Sequence, residues 1–520
     1  MTDRTKSTHR LCARAAALYV CATAALAAPQ ATFQVIEPNG PDVPSLVSGL
    51  ARNGRVVTGV VQVPQAPGTP FVQVPYRWTP YRGFERLVGP GDSYLTHTTA
   101  LSDSGLRVVG SAFTNGSYTG YVWDVASGAR FELPLPYPGQ PGFGGAQDVT
   151  PDGATIVGSW DAGLQQEGWI WTAATGTVGF GDLPGGFSQS AAAAVTHDGQ
   201  VVVGSGSVQY PLRQAVRWTA ATGLVSLGDL AGGTVDSYAR DVDADGDVIV
   251  GGATTALGVE AFRWTASGGM VSLGRLPQQF TSEATYVSAD GDVVCGLYSR
   301  PDPSQQSGYA YDGWIWTPST GMALLSDRLT QLGATGVAGW RLIPAALSDD
   351  GTVVGGYGYD PSGRARGWVA YLAPLDERVG AAYCAPTQPN STGNASQLDL
   401  VGLANVHDDA LFARASSLPP GAPALALVSR APGLVVMPGG SDGNLCLGGA
   451  IGRYVAPGQI QLASPTGTFE LALALDELPT PGGLVSASPG ETWYFQVWHR
   501  DGGPATGSSN FTNGVSVTFE

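Results

Sequence analysis

A two-residue turn signal recurs along the chain at Asn53-Gly54, Ser104-Gly105, Asp152-Gly153, Asp198-Gly199, Asp245-Gly246, Asp290-Gly291 and Asp350-Gly351. The glycines are 51, 48, 46, 47, 45 and 60 residues apart. Self-similarity at such a period marks a stacked or radial array of one small unit, each burying its faces against its neighbours. The spacing therefore restricts the fold before any single residue is considered.

Each unit carries four strand signals. An alternating run such as SYARDV leads into the turn, and a β-branched run such as DVIVG leaves it. Asn-Gly and Asp-Gly pairs favour type I′ hairpins, because both residues tolerate positive φ. A third run ends in Trp78, Trp123, Trp171, Trp218, Trp264 or Trp316, and a fourth reads GLVSLG or GMVSLG. Four short antiparallel strands every 45–50 residues match propeller blades. The expected fold is all-β: a seven-bladed β-propeller over 32–375, with the tryptophans packing between blades. The seventh copy lacks a fourth strand, and ATFQVIEP near the N-terminus stands where one would fall. Pairing of the two closes the ring and leaves no open edge.

The motifs GDLPGGFSQSAAAAVTHDGQVVVG, AFRWTASGGMVSLG and GWRLIPAALSDDGTVVGG resemble the HAF family of bacterial extracellular repeats. The similarity covers 32–375; the first two copies depart most, with Ser104 in place of Asp and no GDL segment. The resemblance implies export and a repeat scaffold, and brings no catalytic residues. From 380 to 520 the period is lost. Alternation in TWYFQVW and VSVTF there predicts a C-terminal antiparallel β-sandwich, similar to a module carried by other secreted bacterial proteins.

Residues 1–14 carry Arg4, Lys6, Arg10 and Arg14 against Asp3, followed by the apolar run AAALYVCATAALA. A basic flank, a short apolar stretch and small residues at its exit describe a cleaved signal peptide, residues 1–27, and so a secreted protein. Later runs are too short and too polar to read as a membrane-spanning helix. Three cysteines remain after cleavage. Cys384 and Cys446 are the expected disulfide, and Cys295 reads as a buried thiol. The net charge of −16 argues against a nucleic-acid partner, and Lys6, the sole lysine, leaves with the leader. The mature chain thus has no Schiff-base or phosphate-loop lysine. A monomer is expected.

Candidate sites are of two kinds. Asp241, Asp243 and Asp245 match the front half of a calcium loop, although position twelve is Gly252 where a bidentate Glu belongs. Calcium is the one cation this pattern suggests; no other cofactor is expected. The segments between second and third strands vary most, and variable loops on a repeated scaffold commonly carry function. Near copies six and seven they bring Tyr298, Tyr309, Tyr311, Tyr357 and Tyr359, rings able to stack on a sugar or anchor a protein. His97, His197, His407 and His499 belong to no catalytic motif; His197 and His499 read as surface residues. The expectation is a secreted, non-enzymatic binding or surface-interaction protein for a glycan or protein ligand. The alternative is a secreted polysaccharide hydrolase or lyase on the same scaffold.

Overall fold

The computed structural model describes residues 31–37, 43–64, 71–87, 96–114, 117–134, 143–163, 165–185, 188–209, 212–277, 280–303, 308–502 and 508–520. The expected leader at 1–27 lies outside them. The chain is all-β apart from one short helix, Leu325–Gln331, and one 3-10 turn among the described residues. Within 32–371 the described strands pair into seven four-stranded antiparallel sheets. The fifth is typical: Ser237–Val242, Val248–Thr255, Gly258–Thr265 and Gly269–Gly274, in chain order from one edge to the other.

The turn doublets join first to second strands as expected, but not in type I′ geometry. All seven glycines have positive φ, from 67° at Gly105 to 86° at Gly246, whereas among the described residues the preceding Asn, Ser and Asp do not. The glycine N–H instead closes a turn three residues back, as Gly153 does onto the Thr150 carbonyl. A hydroxyl completes the motif. Thr150, Thr196, Ser288 and Ser348 each accept an N–H five residues on, at 2.9–3.1 Å, and donate to the turn aspartate.

Two further devices hold the sheets. In most sheets a glycine in the second strand gives room for an aromatic ring from the third, as Gly59 does for Tyr76 and Gly251 for Phe262. A Cβ on Gly296 or Gly356 would stand 2.6 Å from a ring carbon of Trp314 or Trp368. The second device is a buried serine that staples adjacent sheets. Ser237 Oγ accepts from Ala215 N–H and donates to the Gly228 carbonyl, and Ser190 and Ser282 repeat the pattern. The Trp-Thr tryptophans also bridge sheets: Trp171 lies 6.3 Å from Phe131 and Trp218 5.9 Å from Phe180.

The last sheet recruits the N-terminal strand. Thr32–Ile36 pairs with Ala365–Tyr371, outside Val353–Tyr359 and Arg341–Leu347. Ser45 staples that sheet to the first one, accepting from Gly367 N–H at 3.0 Å and donating to the Ile36 carbonyl at 2.7 Å. The short helix, which the sequence pattern did not announce, sits between the last two sheets with Leu325 and Leu329 buried.

Beyond Tyr371 a four-stranded and a seven-stranded antiparallel sheet share a core. Leu398, Leu400 and Phe469 of one meet Ala426, Trp493, Phe495 and Val515 of the other. Cys384 and Cys446 are bonded, and Cys295 is buried and free, its thiol pKa pushed up by burial. His499 is buried, contrary to the surface reading. Its Nε2 lies 2.9 Å from Ser396 Oγ, and burial lowers its pKa. This region packs directly on the first two sheets. Arg77 makes a two-pronged ion pair with Asp408, both side chains buried, and Arg55 donates to the carbonyls of Asp376, Arg378 and Gly402. No helix among the described residues is long and apolar enough to cross a membrane.

Candidate functional site

In every one of the seven sheets the first strand carries a β-bulge at the same phase, five residues before the turn doublet. A bulge leaves one residue out of the ladder and re-aims its side chain. The seven skipped residues are Ser48, Thr99, Gln147, Ala193, Arg240, Thr285 and Ala345, and all of them line one axial cavity of about 620 Å³. Its size falls in the ordinary range for small-molecule sites, roughly 300–1,000 Å³.

Next to the cavity the residues just before each doublet form a floor layer, of which Arg52 lines the cavity itself. Backbone bonds run from sheet to sheet there: His197 N–H to Ala244 O, Ala244 to Ala289, Ala289 to Asp349, and Asp349 to Arg52. Asp103 N–H reaches Pro151 O, and Arg52 N–H reaches the Asp103 carboxylate. Pro151 has no N–H to continue the circuit. Arg52 extends across the floor to Asp148 Oδ2 at 3.2 Å and the Val195 carbonyl at 3.1 Å. Burial works against its charge, yet Asp148, Asp241, Asp349 and Asp103 together raise its pKa above the usual arginine value. His197, in this layer, is half-buried with 29% of its side chain exposed, and its Nε2 is 3.2 Å from Asp349 Oδ1.

The floor acids serve the scaffold. Asp148 Oδ2 accepts from Val195 N–H and Asp241 Oδ2 from Val287 N–H, each joining one sheet to the next. Burial pushes the Asp241 carboxyl up to about 7, and burial with Asp349 pushes Asp103 up to about 6.

The structure does not bring the three calcium candidates together. Asp243 occupies the slot that Thr or Ser fills in sister repeats. Its two oxygens accept Gly246 N–H at 2.9 Å and Val248 N–H at 3.0 Å. Asp245 caps Asp247 N–H, and Asp241 faces the axial cavity. Three carboxylates at alternate positions thus do three separate jobs. Among the described residues no group of three His, Cys, Asp or Glu could hold a metal.

The five tyrosines do not converge either. Their segments are hairpin strands, Val294–Pro301 with Tyr309–Thr317 and Val353–Tyr359 with Ala365–Tyr371; residues 304–307 lie outside the described chain. Tyr298 is 6% exposed and belongs to a core cluster with Trp314, so it cannot stack on a ligand. Tyr309 and Tyr311 are exposed on one side of their strand, with exposed Phe280 6.1 Å from Tyr309. Tyr357 is half-buried, and Tyr359 lies under Arg341, 4.4 Å from its ring centre. The axial residues escaped notice because their chemistry differs from copy to copy; only reading five places back from each doublet collects them.

No known family and no curated protein matches the chain. Solved structures of similar shape include TolB from Acinetobacter baumannii, with TM-score 0.30 and 13% identity over 44% of this chain and 53% of that one. Oligogalacturonate lyase from Vibrio parahaemolyticus gives TM-score 0.45 and 9% identity over 66% and 98%. A prolyl endopeptidase gives 0.41 and 12% over 72% and 55%, so the chain spans about half of that protein and of TolB. Likenesses this distant say nothing of activity.

Proposed function

We propose that the seven sheets form a closed seven-bladed β-propeller of HAF-type repeats over 32–375, with a β-sandwich at 380–520 docked on it. On this reading the protein is a secreted, non-enzymatic binding protein that takes a glycan or protein ligand in its axial cavity. The observation that carries the reading is the bulge repeated in all seven first strands, which turns one side chain per sheet toward a common space. Loop-level stacking by Tyr309, Tyr311 and Phe280 would extend the surface outside it. The hydrolase or lyase reading gains little from the cavity acids. Asp241 is held by two backbone N–H groups, and Glu283 is paired with Arg240.

The test is a glycan and peptide array on the wild type and on Ala193→Phe, a substitution that fills the cavity from a half-buried wall position. Ligands that bind the wild type should be lost in the variant without a change in melting temperature. Retention of every ligand by Ala193→Phe would exclude the axial cavity.

A further inference from the structure

The wall of the cavity is chemically lopsided. Arg240 is the one charged residue in the ring of bulge positions, and Arg213 reaches the same wall from the neighbouring sheet. Both guanidinium carbons lie over the Tyr238 ring, at 4.9 and 4.3 Å from its centre. Each side chain is anchored through Nε: Arg213 donates to Asp236 at 2.8 Å, and Arg240 to Glu283 at 2.5 Å. Stacking and the Nε bonds fix both planes. The Nη groups of the two residues have no hydrogen-bond partner among the described residues.

We propose that this pair binds the carboxylate of an acidic sugar, a hexuronate residue, with the Nη edges of Arg213 and Arg240 as its donors. The proposal rests on the reading of the cavity as a binding site. A planar guanidinium presents paired N–H groups that match a carboxylate, and pre-orientation by another carboxylate reduces the entropy lost on binding. Sugar is favoured over peptide by the rest of the wall. The run Ala191–Ala194 lines the wall with small apolar side chains against which a ring face can lie, and Ser205 and Gln166 offer neutral partners for hydroxyls. The acids Asp148 and Asp241 lie toward the floor, already bonded to backbone N–H groups.

The experiment is calorimetric titration of the full chain with digalacturonate and with its neutral counterpart galactobiose. Digalacturonate should bind at least about tenfold more tightly, since charge-assisted paired hydrogen bonds are about twice as strong as neutral ones. The double variant Arg213→Gln/Arg240→Gln should remove that preference, and Arg414→Gln, on the remote C-terminal region, should keep it. Arg240→Lys, which keeps the charge and loses the fork, should weaken digalacturonate and leave galactobiose unchanged; it serves if the double variant fails to fold. Equal affinity for both disaccharides, abolished by Ala193→Phe, would overturn the uronate assignment and leave the cavity standing. Digalacturonate binding indifferent to Ala193→Phe would overturn both. Absence of saturable digalacturonate binding, or a tripeptide carboxylate bound as tightly, would overturn the sugar assignment.

Discussion

Ser45 makes the closure of the ring measurable. Its hydroxyl joins the first sheet to the last by two bonds, from Gly367 N–H and to the Ile36 carbonyl, and its side chain is fully buried. Ser45→Ala removes both partners' bonds at once and leaves an N–H and a C=O where water cannot reach them. An unsatisfied buried backbone group costs about 1–3 kcal/mol, so the pair should cost about 2–4 kcal/mol when partial relaxation is allowed. At roughly 2–4 °C per kcal/mol for large domains, calorimetry should show the melting temperature falling by about 4–16 °C. Ser190, Ser237 and Ser282 make the same staple between sheets that are consecutive in sequence, and they set the scale. If the ring is closed in solution, Ser45→Ala costs as much as the other three. A Ser45→Ala protein that melts like the wild type, while Ser190→Ala, Ser237→Ala and Ser282→Ala melt early, would refute closure.

Other expectations follow from the same geometry. Arg77→Ala strands the buried Asp408 charge and should cost about 3–5 kcal/mol; thermal unfolding and faster proteolysis near residue 375 would report it, and an unchanged melt would contradict the docked arrangement. The Cys384–Cys446 bridge spans 62 residues, for which loop-closure entropy predicts about 4 kcal/mol. Cys384→Ser/Cys446→Ser should therefore lower the denaturant midpoint of the C-terminal region selectively, and an unshifted midpoint would count against it. Asp241 has a folded pKa raised to about 7, so the folded state holds its proton more tightly than the unfolded one. Its contribution to stability is present at low pH and lost as pH rises toward 7. The melting temperature of Asp241→Asn relative to the wild type should rise between pH 5 and 8 and then level off; a falling difference would have the sign wrong.

The repeat was legible because turns and core packing recur. A glycine at positive φ is a local need shared by every copy, and a hydroxyl two residues before the doublet and an aromatic over a second-strand glycine recur in most of them. The pairing of the N-terminal strand with the last sheet was legible for a related reason: ATFQVI carries the missing strand's pattern, and the last copy ends without one. The site was not. Axial positions answer to a common space assembled from seven distant segments, so Gln147, Arg240 and Thr285 show no local pattern. Asp241-Val-Asp243-Ala-Asp245 misled because alternation looks like convergence until Asp243 is seen filling a serine slot. Tyr298 misled because a hairpin extending past its neighbours reads as a loop, while the strand's alternation turns that ring inward. Docking of the C-terminal region rests on Arg77 and Asp408, 331 residues apart, a pairing that no spacing rule exposes.

The most direct measurement is a crystal structure of the protein with the glycan or peptide that the array selects. The account predicts ligand density inside the axial cavity, against the Ala191–Ala194 wall and within hydrogen-bond reach of Arg213 and Arg240. Density on the C-terminal sheets or on the outer faces of the propeller, with the cavity holding only water, would contradict it.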